Sequence, residues 1–273
     1  MTAGRAIAFW KMAGAGNDFI LVDNRSGTLD SDLAHAARRL SDRKHSIGAD
    51  GLILLESSQT ADIRMRIFNP DGSEAQMCGN GVRCLAKFSV DNRITKNPLK
   101  IETIAGVIGA EVKNNGLVRA KMGDPTGLRL GFNLEVLGKR MDLNFINTGV
   151  PHAVLLTDSL EDIDVFTLGR AIRRHSSFAP EGTNANFISV RHDNSLHIRT
   201  YERGVEDETL SCGTGATAAA LVAASLKGFE SPVVVTPKSG ESLKVYFSRE
   251  GENYHEVYLE GPVEKTFEGR VTL

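Results

Sequence analysis

Met77-Cys78-Gly79-Asn80-Gly81 returns 134 residues later as Ser211-Cys212-Gly213-Thr214-Gly215, and this pair of phrases decides how the chain is read. The offset persists on either side. Gly48-Ala49-Asp50 opens the apolar run Leu52 to Leu55, and Gly182-Thr183-Asn184 opens Asn186 to Val190, again 134 residues on. Asp18-Phe19-Ile20-Leu21-Val22 matches His152-Ala153-Val154-Leu155-Leu156 at 134. Before each cysteine lies an alternating segment, Arg66-Ile67-Phe68-Asn69 and Arg199-Thr200-Tyr201-Glu202, at an offset of 133. Chains that mix strands and helices reuse short strand-glycine-helix phrases, but several matches in order at nearly one offset argue for a duplicated unit. Such a pair packs most simply about a pseudo-twofold axis. Gly and Pro in Met122-Gly123-Asp124-Pro125 punctuate the pattern and place the boundary. The expected domains are an N-terminal repeat over 1–122 with Cys78 and a C-terminal repeat over 123–273 with Cys212, the last strand being free to return to the first half.

A chain of 273 residues is long for one domain and comfortable for two. With 41% hydrophobic and 24% charged residues it has the composition of an ordinary globular protein and can bury a sizeable core. A net charge of −2 makes no electrostatic case for nucleic acid or an anionic membrane as partner. The N-terminal MTAGRAIAFWKM has too short an apolar run for a signal peptide. No stretch approaches the ~18 apolar residues of a membrane span. Three cysteines are an odd number and too few for a disulfide scaffold, which reads as a reducing, cytoplasmic setting with free thiols.

Periodicity predicts strands over Ile63–Ile67, Leu196–Tyr201, Val233–Thr236, Leu243–Phe247 and Tyr254–Leu259. Val82–Val90 and Ala216–Lys227 read as helices. The second is small or apolar almost all round and stops at Gly228, a C-terminal cap. A helix apolar on every side has to be buried, which places it inside a curved sheet, with the first helix treated alike in its own half.

Each repeat therefore sets Cys-Gly-x-Gly directly before a helix. Glycine lets a ligand approach the backbone, and the first turn of a helix offers N–H groups without intrahelical acceptors. Those donors and the helix dipole favour an anion such as a carboxylate, and they favour thiolate over thiol. Two such sites could bracket one carbon, with Cys78 and Cys212 removing a proton from one face and delivering one to the other. Reversal exchanges the roles, so the two groups should be chemically alike. Cys84 lies six residues after Cys78, about 240° round a helix, and reads as a buried structural thiol. No C-x-x-C or C-x-x-H spacing suggests a metal, and no G-x-x-x-x-G-K-[ST] suggests a phosphate loop.

Six phrases in order resemble the diaminopimelate epimerase family along nearly the whole chain: Gly16-Asn17-Asp18-Phe19, Phe68-Asn69-Pro70-Asp71-Gly72-Ser73, Cys78-Gly79-Asn80-Gly81-Val82-Arg83-Cys84, Pro151-His152, Tyr201-Glu202-Arg203-Gly204 and Cys212-Gly213-Thr214-Gly215. The resemblance implies an α+β fold of two similar halves related by pseudo-twofold symmetry, each a curved, mostly antiparallel sheet wrapped round a central helix, with the site in the cleft between. It implies interconversion of LL- and meso-2,6-diaminopimelate, in lysine and peptidoglycan-precursor biosynthesis, without pyridoxal phosphate, metal or other cofactor, usually in a homodimer. By the same resemblance Cys78 and Cys212 are the proton acceptor and donor, and His152 and Glu202 tune them. Asn17, Asn69, Asn184, Glu202 and Arg203 belong to the substrate-binding set, and the backbone at Gly79-Asn80 and Gly213-Thr214 holds the reacting carboxylate. Arg203 offers a bidentate fork for a carboxylate, which suits that role. Read without the family, each Asn is equally a turn or cap residue, and His152 a satisfied structural histidine. Phe267 is a candidate dimer contact or a core aromatic.

Two positions depart from the family pattern: Gly51 stands where many members have Gln, and Val150 where many have Asn. Each removes an amide expected to touch substrate. Proline and hydroxyproline racemases share the two-cysteine design but tend to have His where this chain has Asn80, and a fold-related isomerase of phenazine synthesis lacks the cysteine pair. A thiol-redox or binding module that kept the fold is disfavoured by the retained polar set.

Overall fold

The computed structural model describes residues 6–29 and 32–273. The chain divides into two compact units, one made of residues up to Ala120 together with Pro262–Leu273, the other of Lys121–Gly261.

The same order of strand partners runs through each. In the first unit, Asn17–Asp23 lies parallel to Gly51–Glu56, which runs antiparallel to Ile63–Phe68. Ile63–Phe68 continues antiparallel to the short Glu74–Ala75 and parallel to Leu99–Thr103. In the second, Pro151–Leu156 lies parallel to Asn184–Val190, then come antiparallel Ser195–Glu202, the short Asp207–Thr209, and parallel Val233–Thr236. The registers carry the sequence offset into space: Phe19 pairs with Gly51 and Ala153 with Ala185. On the other edge, Asn17–Asp23 pairs with Ala6–Gly14 and Pro151–Leu156 with Lys139–Asn147. Beyond these, the second unit adds Thr126–Val136, whereas the first unit uses the last strand of the chain, Glu264–Thr272.

Among the described residues, four α-helices serve these sheets: α1 (Leu33–Ser41) and α2 (Gly79–Asp91) in the first unit, α3 (Val165–Arg173) and α4 (Gly213–Lys227) in the second. Successive residues of Gly51–Glu56 point to opposite faces. Ile53 and Leu55 pack with Val82, Leu85 and Ala86 of α2, while Leu52 and Leu54 pack with Ala36, Ala37 and Leu40 of α1. A strand covered on both faces has to be apolar without alternation, which is why Leu52–Leu55 reads as a continuous run. Helix α4 is buried all round, with Ala216 to Ala224 each no more than 1% exposed. It ends as expected at Gly228, whose φ of 70° suits glycine and whose N–H bonds back to the Ala224 carbonyl at 3.2 Å. Both central helices begin three residues earlier than their periodic cores, at Gly79 and Gly213. Glycine's poor helix propensity conceals that first turn in the sequence.

The fold class inferred from the repeat therefore holds for each unit: a mostly antiparallel sheet about a central helix. Among the described residues no helix is long and apolar enough to cross a membrane.

Candidate active site

In the first unit Cys78 is the N-cap of α2. Its backbone is extended, with φ −142° and ψ 119°, and its half-buried Sγ accepts the Gly81 N–H at 3.5 Å. The Val82 N–H closes the first intrahelical bond to the Cys78 carbonyl at 2.8 Å, so the N–H groups of Gly79 and Asn80 have no acceptor within the helix. The glycines differ in purpose. A Cβ on Gly81 would stand 3.0 Å from Ile53 Cδ1 and 3.3 Å from Ile67 Cδ1, so that glycine admits the sheet. At Gly79 a Cβ would meet nothing within 4 Å, so packing does not demand glycine there. Asn17 begins its strand after the tight turn at Ala15 and Gly16, both at positive φ. Its Oδ1 accepts from Asn80 Nδ2 at 2.8 Å and its Nδ2 donates to Asp50 Oδ2 at 3.1 Å. Behind it, Lys11 and Arg43 both clamp Asp18, with bonds of 2.6 Å each. Against the opposing effect of burial, these two cations hold the Asp18 carboxyl down at about 2.

In the second unit Cys212 caps α4 with the same extended backbone, φ −129° and ψ 113°. The Ala216 N–H reaches the Cys212 carbonyl at 2.8 Å, and the Cys212 Sγ lies 3.4 Å from the Thr214 hydroxyl. Glu202 joins Cys212 through a hydrogen bond from the thiol and accepts from Thr209 Oγ1 at 3.0 Å. Burial nevertheless dominates and pushes the Glu202 carboxyl above its ordinary range. His152 is fully buried, and burial, aided by the positive charge of Arg203, lowers its pKa to about 3. It is therefore a neutral imidazole at any physiological pH. Asn186 has its orientation set by the Ala153 carbonyl, 3.0 Å from Nδ2, and by the Thr200 hydroxyl, which donates to Oδ1 at 3.0 Å. Its Nδ2 thus donates to His152 Nδ1 at 3.1 Å, which leaves the ring proton on Nε2. Asn184, next to His152 across the parallel register, accepts the Arg203 backbone N–H at 2.8 Å and donates to the Pro151 carbonyl at 3.0 Å. The Thr148 hydroxyl ties the start of α4 by donating to the Thr214 carbonyl at 2.9 Å.

The expected residues thus lie in two groups: Asn17 bonded to Asn80 in the first turn after Cys78 in one unit, and in the other Glu202 bonded to Cys212, with Asn184 holding the Arg203 backbone and Arg203 acting on His152. Asn69 is the exception. It is exposed and spends its groups on a turn, with Gly72 N–H donating to its carbonyl at 2.9 Å and its Nδ2 donating to Ser73 Oγ at 3.0 Å. Cys84 is fully buried in the core around α2. Among the described residues, no three or more His, Cys, Asp or Glu side chains are grouped as metal ligands.

With this geometry in place, a model of diaminopimelate epimerase matches residues 9–128 and 144–266. The chain is 44% identical to the diaminopimelate epimerase of Aquifex aeolicus over 97% of each chain, and 44% identical to that of Chlorobaculum tepidum over 96% of this chain and all of the relative. The chain belongs to the diaminopimelate epimerase family. It is accordingly an isomerase. A solved phenazine biosynthesis protein of the PhzF family from Bacillus anthracis shares the fold, with a TM-score of 0.74 over 98% of this chain and 100% of that one, at 18% identity.

Gly51 and Val150 each have a local role in the structure. A Cβ on Gly51 would come within 2.9 Å of the Phe68 carbonyl on the neighbouring strand, so a side chain here would require that strand to shift. Val150 is half-buried in the turn before Pro151–Leu156, where its carbonyl accepts the Thr148 N–H at 3.2 Å. Asp50, Arg83, Asn186, Thr148 and Thr209 escaped the sequence reading. Asn186 had a signal: it opens a run otherwise fit for burial, and a buried amide needs partners.

Proposed function

We propose that the chain interconverts LL- and meso-2,6-diaminopimelate, with Cys78 and Cys212 as a two-base pair acting on one α-carbon. The observation that carries this reading is the like placement of the two thiols, each the extended N-cap of a buried helix that opens with glycine. On this reading the two units are the products of duplication, divided as the compact units divide.

A thiolate on one face takes the α-proton: the C–H bond breaks and an S–H bond forms. The electron pair left on carbon takes a proton from the thiol opposite, whose sulfur becomes the thiolate. First-turn N–H groups at Gly79-Asn80 and Gly213-Thr214 hold the reacting carboxylate and stabilise the charge that spreads onto it. Arg203, with Asn17, Asn184 and Glu202, receives the distal head group, whereas Asn69 spends its side-chain amide on the turn at Ser73. Glu202 and His152 set the proton balance at the cysteines, Glu202 by accepting from the Cys212 thiol. The scheme needs no pyridoxal phosphate and no metal. A homodimer in the cytoplasm belongs to the same reading, and Phe267, 49% exposed and edge-on to Phe9, is the candidate contact.

The test is turnover in heavy water with a single stereoisomer. Each inverted product molecule should carry one deuterium at the α-carbon, appearing in product ahead of recovered substrate. Inversion without deuterium, or exchange without inversion, contradicts the scheme.

A further inference from the structure

In the first unit four side chains form a line whose ends have opposite hydrogen-bonding capacity. Arg83, fully buried, donates from Nη2 to Asn80 Oδ1 at 2.6 Å. Asn80 Nδ2 donates to Asn17 Oδ1 at 2.8 Å, and Asn17 Nδ2 donates to Asp50 Oδ2 at 3.1 Å. Asp50 is held from behind by Arg43 Nη2 at 2.7 Å and by the Asp18 N–H at 3.2 Å. A guanidinium can only donate and an ionised carboxylate can only accept. Neither amide between them can turn over without setting donor against donor or acceptor against acceptor. The duplicated fold does not require this line, because the second unit lacks it. The positions 134 residues on are Asn184, Pro151, Thr214 and Thr217. There the Thr217 hydroxyl donates to the Gly213 carbonyl at 3.0 Å and Asn184 Nδ2 to the Pro151 carbonyl at 3.0 Å.

We infer that Arg83 and Asp50 are positioning residues that polarise this line, so that Asn17 presents its remaining amide N–H, and not its carbonyl, to the substrate. An amide nitrogen carries two hydrogens, of which Asp50 takes one. The other, on a half-buried residue, is directed to an acceptor, and a carboxylate oxygen of an amino-acid substrate is the matching group. Turned over, Asn17 would set a carbonyl dipole against that carboxylate. The inference rests on the reading above that Asn17 contacts substrate. Arg83 touches no reacting atom in this account; it acts through Asn80 and Asn17.

A double-mutant cycle tests it. Gln at position 83 can donate or accept, so Arg83→Gln releases the polarity. It should raise KM for diaminopimelate about 10-fold, the worth of one hydrogen bond to a charged group, with little change in kcat. Asn17→Ala should raise KM by a similar factor. The double variant should then be no worse than Asn17→Ala alone, because Arg83 has nothing left to position. Arg83→Lys keeps a cation that only donates and should restore most of the affinity. If Arg83→Gln does not fold, Asp50→Asn releases the other end and takes its place in the cycle. Independent multiplication of the two single losses, to about 100-fold in the double variant, overturns the inference and leaves Arg83 a structural cation. An unchanged KM in Asn17→Ala overturns it too, while α-deuteration by the unmutated enzyme keeps the epimerase reading intact. Loss of α-deuteration in the unmutated enzyme would instead mark failure of that reading.

Discussion

Gly79→Ala separates the two uses of glycine at the helix starts. Nothing lies within 4 Å of the position its Cβ would take. The backbone there is the first residue of α2 and does not adopt positive φ, so alanine fits the conformation. Replacing Gly by Ala at such a site should leave stability unchanged or raise it by roughly 0.5 kcal/mol, through helix propensity and a less flexible unfolded chain. For a chain of this size that is about 1–2 °C in Tm. Activity should move the other way. A methyl group on the mouth of the first turn occupies the side from which a carboxylate would reach the Gly79 and Asn80 N–H groups. Loss of one hydrogen bond to a charged group is about 1.5–3 kcal/mol, or roughly 10- to 150-fold in kcat/KM. Gly215→Ala is the control for crowding, because its Cβ would lie 2.6 Å from Asn186 Oδ1 and 3.3 Å from Cys212 Cβ. That variant should lose stability as well as activity, by about 1–3 kcal/mol as expected of overpacking. Thermal melts and steady-state kinetics on both variants decide the matter. A Gly79→Ala enzyme with unaltered kcat/KM would refute carboxylate docking at this turn. A Tm several degrees lower would refute the open space beside Gly79.

Cys78→Ser and Cys212→Ser should each reduce epimerisation about 1,000-fold or more, since a hydroxyl is a far weaker base near neutral pH. Cys84→Ala should stay active at a cost of about 1 kcal/mol in urea denaturation, and near-normal turnover in either serine variant would end the two-base scheme. His152 imposes an acid sensitivity. Its pKa is near 3 when folded and 6.5 when free, so only the unfolded chain binds this proton between those values. Stability from its neutral burial is complete above about pH 6.5 and is lost as pH falls toward 3, by up to about 5 kcal/mol. His152→Gln should flatten the pH dependence of denaturation in that window. Arg203→Ala should erase most of a preference for diaminopimelate over glutamate of at least ~30-fold in kcat/KM, as expected for a truncated charged contact. Equal rates on both substrates in the unmutated enzyme would show that the distal contacts do not select.

The repeat made the topology legible because each half obeys the same packing rule. Leu52–Leu55 is apolar on both faces since α1 and α2 cover both, and Ala216–Ala224 is small or apolar throughout since α4 is enclosed. Both patterns are matters of burial, and burial writes directly into residue type. Orientation does not. Asn69 and Asn17 look alike as sequence, yet Asn69 closes an exposed turn on Ser73 and Asn17 lies between a buried amide and a carboxylate. Asn186 and Arg83 were invisible as functional groups because their partners, His152 and Asn80, become partners only through strand register and helix pitch. Gly51 looked only like a deleted contact, and the structure adds that its strand lies close enough to the Phe68 carbonyl for a Cβ to force a shift.

Each unit places a cysteine at the N-cap position of its central helix, but a protein that discriminates the two ends of a substrate needs its halves to differ. The differences fall on residues in register with one another. Asp18 corresponds to His152 and Asp50 to Asn184, so a charged cluster clamped by Lys11 and Arg43 in one unit is replaced by a neutral imidazole and amide in the other. Arg83 corresponds to Thr217, a buried cation against a hydroxyl. Glu202, raised by burial and bonded to Cys212, has Asn69 near its counterpart position. The first unit therefore sets a cation within the helix that Cys78 caps, and the second sets a carboxyl group against Cys212. An ionised Glu202 opposes negative charge on the Cys212 sulfur, and Cys78 has no such carboxyl partner at the corresponding position, where Asn69 lies nearby. A helix start repeated for symmetry of chemistry is thus surrounded by side chains that break the symmetry of charge. Exchanging those partners should alter which stereoisomer is processed faster, while the equilibrium between isomers, fixed by the substrate alone, stays where it is.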